Sequence, residues 1–258
     1  MGVVDGGEPD RWSAVADGWA ELWARFAEPT WQVVVTAAGV GPGTRVLDVG
    51  CGSGDFLAYA GGLGASTAGA DPAAGMVALA RERAAGADVR HAGAEALPWP
   101  DGAFDLVTAF NALQFAADTA DALAELARVT APGGHVAVAN WAEDTRNDLA
   151  TIEAAVAEAA GEEPRPEGDL RRAGGLERLL AEGGLAVVAA GLVDVPWSAP
   201  DDDTLVRGVL LGEDAATLAS TAPIVLEAGR PFRTPDGGYR LANAFRYAVG
   251  RVPARDSP

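Results

Sequence analysis

The chain has 258 residues, a formal net charge of −18, and 49% hydrophobic residues. That length and apolar content suit one α/β domain with an elaboration, and the acidic excess opposes nucleic acid and anionic lipid as partners. All 19 basic residues are Arg, which excludes a Schiff-base lysine and a Walker A loop; with Cys51 the lone cysteine and His91 and His135 the lone histidines, neither an intrachain disulfide nor a zinc site is expected.

Residues 1–10 are rich in Gly, Asp and Glu and read as a mobile end. No basic n-region marks a signal peptide, position 6 is Gly and so fails the myristoylation pattern, and no apolar run reaches a membrane span. The expected location is therefore the cytoplasm, with no membrane partner. Residues 11–27 follow a helical period, with Trp12, Trp19, Trp23 and Phe26 on one face.

Residues 45–56 organise the rest. Val46, Leu47 and Val49 form a short apolar run, rich in β-branched residues, that reads as a buried strand. Gly50, Gly52 and Gly54 strip three side chains from the following turn, so backbone can approach a ligand and adopt positive φ. A helix follows from Asp55 to about Gly62. Strand, glycine turn and helix make the nucleotide-binding corner of a doubly wound α/β domain. The dinucleotide fingerprint fails, because its third small residue falls on Asp55 or Leu57.

The pattern Asp48-x-Gly50-x-Gly52-x-Gly54 resembles motif I of the class I S-adenosylmethionine-dependent methyltransferases, and the match continues over residues 45–141. The resemblance implies a Rossmann-like doubly wound sheet of seven strands, mostly parallel with an antiparallel last strand, plus a helical lid. It implies S-adenosyl-L-methionine as cofactor, held by Asp48, Gly50, Cys51, Gly52 and Gly54. Trp12 or Trp19 either packs in the core or covers the sulfonium by cation–π attraction.

Ser66–Asp71 reads as the second strand. Asp71 stands where the family places its ribose-binding carboxylate; it is also a natural cap ahead of Pro72. Helix 73–85 follows, with Met76 expected against the adenine. Residues 87–92 are the third strand. In the stretch after it, the acidic residue that usually bonds the adenine amine is replaced by Gly93, leaving the Ala94 N–H, Glu95 or His91 to serve. Phe104–Phe110 is a buried fourth strand. It leads to Asn111 and Gln114, which the family places beside the methyl group and acceptor, with turn and cap chemistry as the bland alternative. A helix spans about 118–130. His135–Trp141 is the fifth strand; His135 begins it, at the edge away from the ligand, whereas Asn140 and Trp141 end it at the ligand edge and are candidates to line the acceptor cavity.

Helices are expected over 145–160 and 170–182, and a sixth strand over 185–195. Residues 196–238 read as an insertion with helices near 204–211 and 215–228, and a last strand runs over 239–251. The expected organisation is a helical lid segment over 1–31, a core over 32–195, a lid insertion over 196–238, and a final strand and tail over 239–258. The insertion is expected to cross above the cofactor, with Trp197, Phe232, Arg230 and Arg233 as candidate walls.

Methyl transfer from a sulfonium needs in-line positioning and exclusion of water more than acid–base groups. The expected function is therefore methyl transfer to a small organic acceptor. The alternatives are a non-methylating reaction such as a cyclisation, or a binding protein without activity. His91 and Tyr239 are the candidate bases outside the carboxylates, and Asn111 and Gln114 the candidate acceptor-orienting groups.

Overall fold

The computed structural model describes residues 9–163 and 166–254; residues 1–8 of the expected mobile end, 164–165 and the tail residues 255–258 lie outside the described residues. The chain enters through three helices, α1 (Pro9–Ala14), α2 (Ala16–Leu22) and α3 (Glu28–Ala38). The single helix expected over 11–27 is therefore corrected. Val15 leaves the helical region at φ −104°, ψ 6°, and both pieces lie against the helix over 74–83. Ser13 in α1 accepts the Gly75 N–H at 3.1 Å, whereas Trp23, just past α2, is 1% exposed in a separate core. Pro29 sits in the first turn of α3, where its missing N–H leaves no bond unmade.

The core then alternates strand and helix: β1 (Arg45–Val49), α4 (Asp55–Gly62), β2 (Ser66–Asp71), α5 (Ala74–Arg83), β3 (Asp88–His91), β4 (Phe104–Phe110), α6 (Thr119–Val129) and β5 (Thr130–Trp141). Helices α7 (Asp148–Ala159) and α8 (Gly175–Glu182) lead to β6 (Ala186–Asp194). The insertion carries β7 (Trp197–Ala199), α9 (Asp202–Val209) and α10 (Ala215–Gly229), and the chain closes with β8 (Tyr239–Leu241) and β9 (Ala244–Arg251).

Seven strands form one sheet in the order β3-β2-β1-β4-β5-β9-β6, parallel except that β9 runs antiparallel to both neighbours. This is the expected Rossmann-like α/β sheet with its antiparallel last strand. Its strands are continuous apolar runs because helices cover both faces: Val46, Leu47, Leu106, Val107, Val136 and Val138 are all within 1% of full burial. The order reverses between β1 and β4, so a crevice opens beyond their carboxyl ends.

The last strand differs from expectation. Residues 239–251 break at Ala242–Asn243, and β8 leaves the main sheet to pair antiparallel with β7. The Asn243 side chain accepts the Leu149 N–H at 3.2 Å, which ties this break to α7. The insertion thus owns a small sheet and a core of its own, built around Trp23, Trp197, Leu205, Val225 and Tyr239. Among the described residues no helix is long and apolar enough to cross a membrane.

Candidate functional site

A cavity of about 330 Å³ lies over the carboxyl ends of the central strands. One wall is the glycine turn. Gly50, Gly52 and Gly54 all have positive φ, at 73°, 50° and 82°. Gly50 and Gly52 line the cavity directly. Gly54 lies behind the wall, where a Cβ would sit 2.9 Å from Ala80 Cα; it shapes the turn and does not face the cavity.

Asp71 closes this wall. Its carboxylate accepts the Gly52 N–H and the Ala73 N–H, each at 2.9 Å. It remains only 7% exposed while lining the cavity. Burial pushes its pKa up, and the two backbone donors oppose that rise. Asp48 is deeper. It accepts the Thr108 hydroxyl at 2.7 Å, yet burial and, to a smaller extent, the Asp71 charge push its pKa up to about 7. The same burial holds Cys51 as a neutral thiol, well above its ordinary pKa.

Of the expected cofactor residues, Trp12, Asp48, Gly50, Cys51, Gly52, Asp71, Pro72, Met76, Ala94, Glu95 and Asn111 share this one cavity. Glu95 also accepts the Ala117 N–H at 2.7 Å, linking the loop after β3 to the loop after β4. Asn111 is the one non-glycine residue with positive φ among those described, at 52°, a region Asn enters more readily than most residues. Gln114 Nε2 donates to the Asn111 backbone O and to Asn111 Oδ1, each at 2.9 Å. A carbonyl can only accept, so this contact fixes the Gln114 amide, and with it the Asn111 amide. Asn111 Nδ2 is left free to donate. Gln114 itself does not line the cavity.

Four residues expected at the site stand elsewhere. His91 stands outside the cavity wall with Nε2 2.7 Å from the Pro72 carbonyl, which commits that nitrogen as a donor. Tyr239 is 2% exposed in the insertion core and donates to Asp202 at 2.7 Å; burial, then this carboxylate, raise its pKa, so it is poorly suited to act as a base. Asn140 turns back onto the Trp141 N–H at 2.9 Å, and Trp141 stacks behind Phe26 at 5.2 Å.

The roof is also corrected. No residue of 196–238 lines this cavity. The roof comes from the N-terminal segment, through Trp12, Trp19, Trp23 and Phe26, and the insertion braces it from behind. Trp197 stacks on Trp23 at 4.3 Å with the rings 9° from parallel. Trp197 Nε1 donates to the Leu22 carbonyl at 2.8 Å, Trp23 Nε1 donates to the Gly208 carbonyl at 3.2 Å, and Arg207 pairs with Glu21 at 2.6 Å. The other proposed walls serve the insertion itself: Arg233 pairs with Asp202, Arg230 with Glu227, and Phe232 packs on the insertion core. Trp31, Phe56, Phe110 and Phe245 do line the cavity and were not expected there. Phe110 is legible as the residue leaving β4; Trp31 and Phe245 reach the site only through tertiary packing.

The sequence pattern of the methyltransferase domain family matches residues 47–138. A demethylmenaquinone methyltransferase of Renibacterium salmoninarum is 36% identical over 121 residues, 47% of this chain and 51% of that protein. The corresponding enzyme of Thermus thermophilus is 46% identical over 100 residues, 36% of this chain and 46% of that protein. An uncharacterized protein of Mycobacterium tuberculosis is 38% identical over 117 residues, 44% of this chain and 43% of that protein. The matched stretch thus spans about half the length of these relatives. In fold, the chain is similar to the [4+2]-cyclase SpnF, with a TM-score of 0.58 and 21% identity over 88% of this chain and 81% of that one. It is similar to a SAM-dependent methyltransferase from Aquifex aeolicus, with a TM-score of 0.50 and 20% identity over 66% of this chain and 87% of that one.

The cavity fits the cofactor that these similarities imply, S-adenosyl-L-methionine. Its wall at Gly50 and Gly52 is bare of side chains, Asp71 faces it with a carboxylate, and Asp71 and Glu95 line it with no Arg among the described lining residues. Such a lining favours a ligand with a net positive centre.

Proposed function

We propose, from the premise that the core of this chain is a class I S-adenosylmethionine-dependent methyltransferase domain, that the protein transfers a methyl group to a small organic acceptor. The observation that carries this reading is that a single cavity joins the bare glycine wall and Asp71 to an aromatic roof. Asp71 would hold the ribose, Gly50 and Gly52 would let the ligand lie against backbone, and Met76, Ala94 and Glu95 would frame the base. Asn111, with its amide oriented by Gln114, would direct the acceptor. When bound, the cofactor supplies an activated methyl and a neutral leaving group. The protein's share is to hold the acceptor in line and exclude water, a contribution of roughly 7–11 kcal/mol for well-oriented partners.

The relatives named demethylmenaquinone methyltransferases support a small-molecule acceptor. The net charge of −18 supports action without nucleic acid, and the lone cysteine fits a reducing cytoplasm. The test is transfer of label from methyl-labelled S-adenosylmethionine into products extracted after incubation with pooled small phenols, amines and enolisable ketones. Labelled product with S-adenosylhomocysteine formed in equal amount supports the reading. Tight cofactor binding with no label in any product, across acceptors that enter the cavity, would turn it toward a reaction that leaves the methyl in place.

A further inference from the structure

We infer that the end of the cavity over β4 and β9 is a subsite for a ring-bearing molecule without negative charge and with one hydrogen-bond acceptor, selected by the indole N–H of Trp31. This rests on the methyl-acceptor reading above and names the chemistry of what that reading left open.

The strand order separates two ends. Asp71 ends β2 and Gly50 follows β1, whereas Phe110 ends β4 and Phe245 lies near the start of β9, with β5 between them in the sheet. This second end is walled by Phe26, Trp31, Phe56, Phe110 and Phe245. Phe56 and Phe110 meet at 4.8 Å, Trp31 lies 5.7 Å from Phe56, and Phe26 lies 5.3 Å from Phe245. None of these side chains ionises. Asp55, beside Phe56, is held toward α5 by Arg83 at 2.7 Å.

Trp31 is 4% exposed, and its indole N–H donates to no group among the described residues. The other deeply buried indoles all donate: Trp23 to Gly208, Trp197 to Leu22 and Trp99 to Asp88. The fully enclosed side-chain polar atoms without a partner, among the described residues, are Thr30 Oγ1 and Asn243 Nδ2. The Trp31 N–H is not one of them, so it keeps an opening, and Trp31 lines the cavity.

Three physical consequences define the ligand. An anion placed among these rings loses its hydration without a partner, so the ligand carries no negative charge. Aromatic walls favour a flat ring through offset and edge contacts. A buried donor left unpaired penalises a plain hydrocarbon relative to the same skeleton carrying an acceptor oxygen. The carboxylates at the other end add repulsion against anions.

The experiment uses three probes of similar size in calorimetric titrations: 1-tetralone, its hydrocarbon tetralin, and the anion 1-naphthoate. Each is titrated into the full chain with and without S-adenosylhomocysteine. The ketone is expected to bind best, tetralin more weakly, and 1-naphthoate without saturation. Trp31→Phe keeps a ring and removes the N–H; it should weaken 1-tetralone roughly fivefold, the scale of one neutral hydrogen bond, and shift tetralin by less than about twofold. Equal affinity of ketone and hydrocarbon in the unaltered protein, or saturable binding of 1-naphthoate as tight as the ketone, overturns the inference without recourse to the variant. An unchanged ketone preference in a folded Trp31→Phe protein overturns the role of Trp31. If S-adenosylhomocysteine binds and the ketone does not, the subsite falls alone. If the ketone binds with the Trp31 signature and S-adenosylhomocysteine does not, the subsite stands and the methyl-transfer reading falls.

Discussion

Asp71 accepts the backbone N–H of Gly52 at 2.9 Å, so the carboxylate that ends β2 also fixes the turn that follows β1. One oxygen holds that turn and the other accepts the Ala73 N–H ahead of α5. Asp71→Asn keeps the shape and one acceptor but loses the charge. It should weaken S-adenosylhomocysteine binding about tenfold, the scale of a charge-assisted bond, and lower stability by about 1–3 kcal/mol, because the new NH2 faces one of the two backbone N–H donors. Unchanged affinity by calorimetry would reduce Asp71 to a structural brace.

Two glycines in the same turn separate binding from folding. Gly52 has φ +50°, and the nearest atom to an added Cβ is Trp19 Nε1 at 3.8 Å, across the cavity wall. Gly54 has φ +82°, and an added Cβ would lie 2.9 Å from Ala80 Cα. Gly52→Ala should fold with a loss of about 1 kcal/mol from the backbone alone and bind the cofactor poorly. Gly54→Ala should lose more stability, by about 2 kcal/mol or more, because strain and overlap combine. Denaturant unfolding and calorimetry on the pair decide it; equal stability losses would show that the close contact with α5 does not matter.

Trp197 tests the brace. It lies outside the cavity wall but stacks on Trp23, whose ring belongs to the roof. Gly208 makes room for it: a Cβ there would come within 2.4 Å of the Trp197 ring. Trp197→Ala should cost about 3–5 kcal/mol and weaken cofactor binding through the roof, measured at a temperature where the variant is still folded. Normal affinity in a folded variant would mean that the N-terminal helices hold their place without the insertion.

Asp48 gives a pH signature. Its native pKa is near 7, against an ordinary 3.8. The native state therefore keeps a proton that the unfolded chain releases between these values. Stability falls as pH rises from about 4 to about 7 and stays reduced above. At about 1.4 kcal/mol per pKa unit the effect amounts to a few kcal/mol. Asp48→Asn cannot ionise and can still accept the Thr108 hydroxyl. Its melting temperature should exceed that of the unaltered protein at pH 8, with the gap closing toward pH 4. Parallel stability curves across that range would contradict a buried, reluctant carboxylate.

Asn111 can be dissected through its backbone. Asn111→Gly suits the φ of 52° and removes the amide. It should leave stability within about 1 kcal/mol while lowering the rate of methyl transfer at saturating cofactor. Asn111→Ala should add a loss of stability. A normal rate in Asn111→Gly would leave the residue a turn former only.

The parts legible in the sequence are those encoded by local pattern. Val46, Leu47 and Val49 with three bare glycines define the β1 corner, and Phe104–Phe110 reads as a strand because both its faces are buried. Asp71 and Met76 follow at fixed offsets from that corner. What the sequence hid is tertiary. Trp23 and Trp197 are 174 residues apart, and nothing local to either shows that they stack, so the insertion read as a roof when it is a brace. Strands of three residues, β7 and β8, are too short to display alternation, and that is why Tyr239 read as part of the last core strand and a candidate base. Trp12 and Trp23 fit one helical face as periodicity, yet Trp12 packs beside Met76 and Trp23 in the core of the insertion. Trp31 carries no motif; only the path of α3 over the sheet brings it to the cavity.

The proposed function requires that the cavity at the glycine turn hold S-adenosylmethionine. Thermal unfolding of the full chain, with and without S-adenosylmethionine and S-adenosylhomocysteine, tests it most directly. At about 100 times the dissociation constant a ligand adds roughly 2.7 kcal/mol, which for a chain of this size raises the melting temperature by several degrees, at about 2–4 °C per kcal/mol. Such a rise is expected with both ligands and is abolished in Gly52→Ala. No rise with either ligand at millimolar concentration would contradict it.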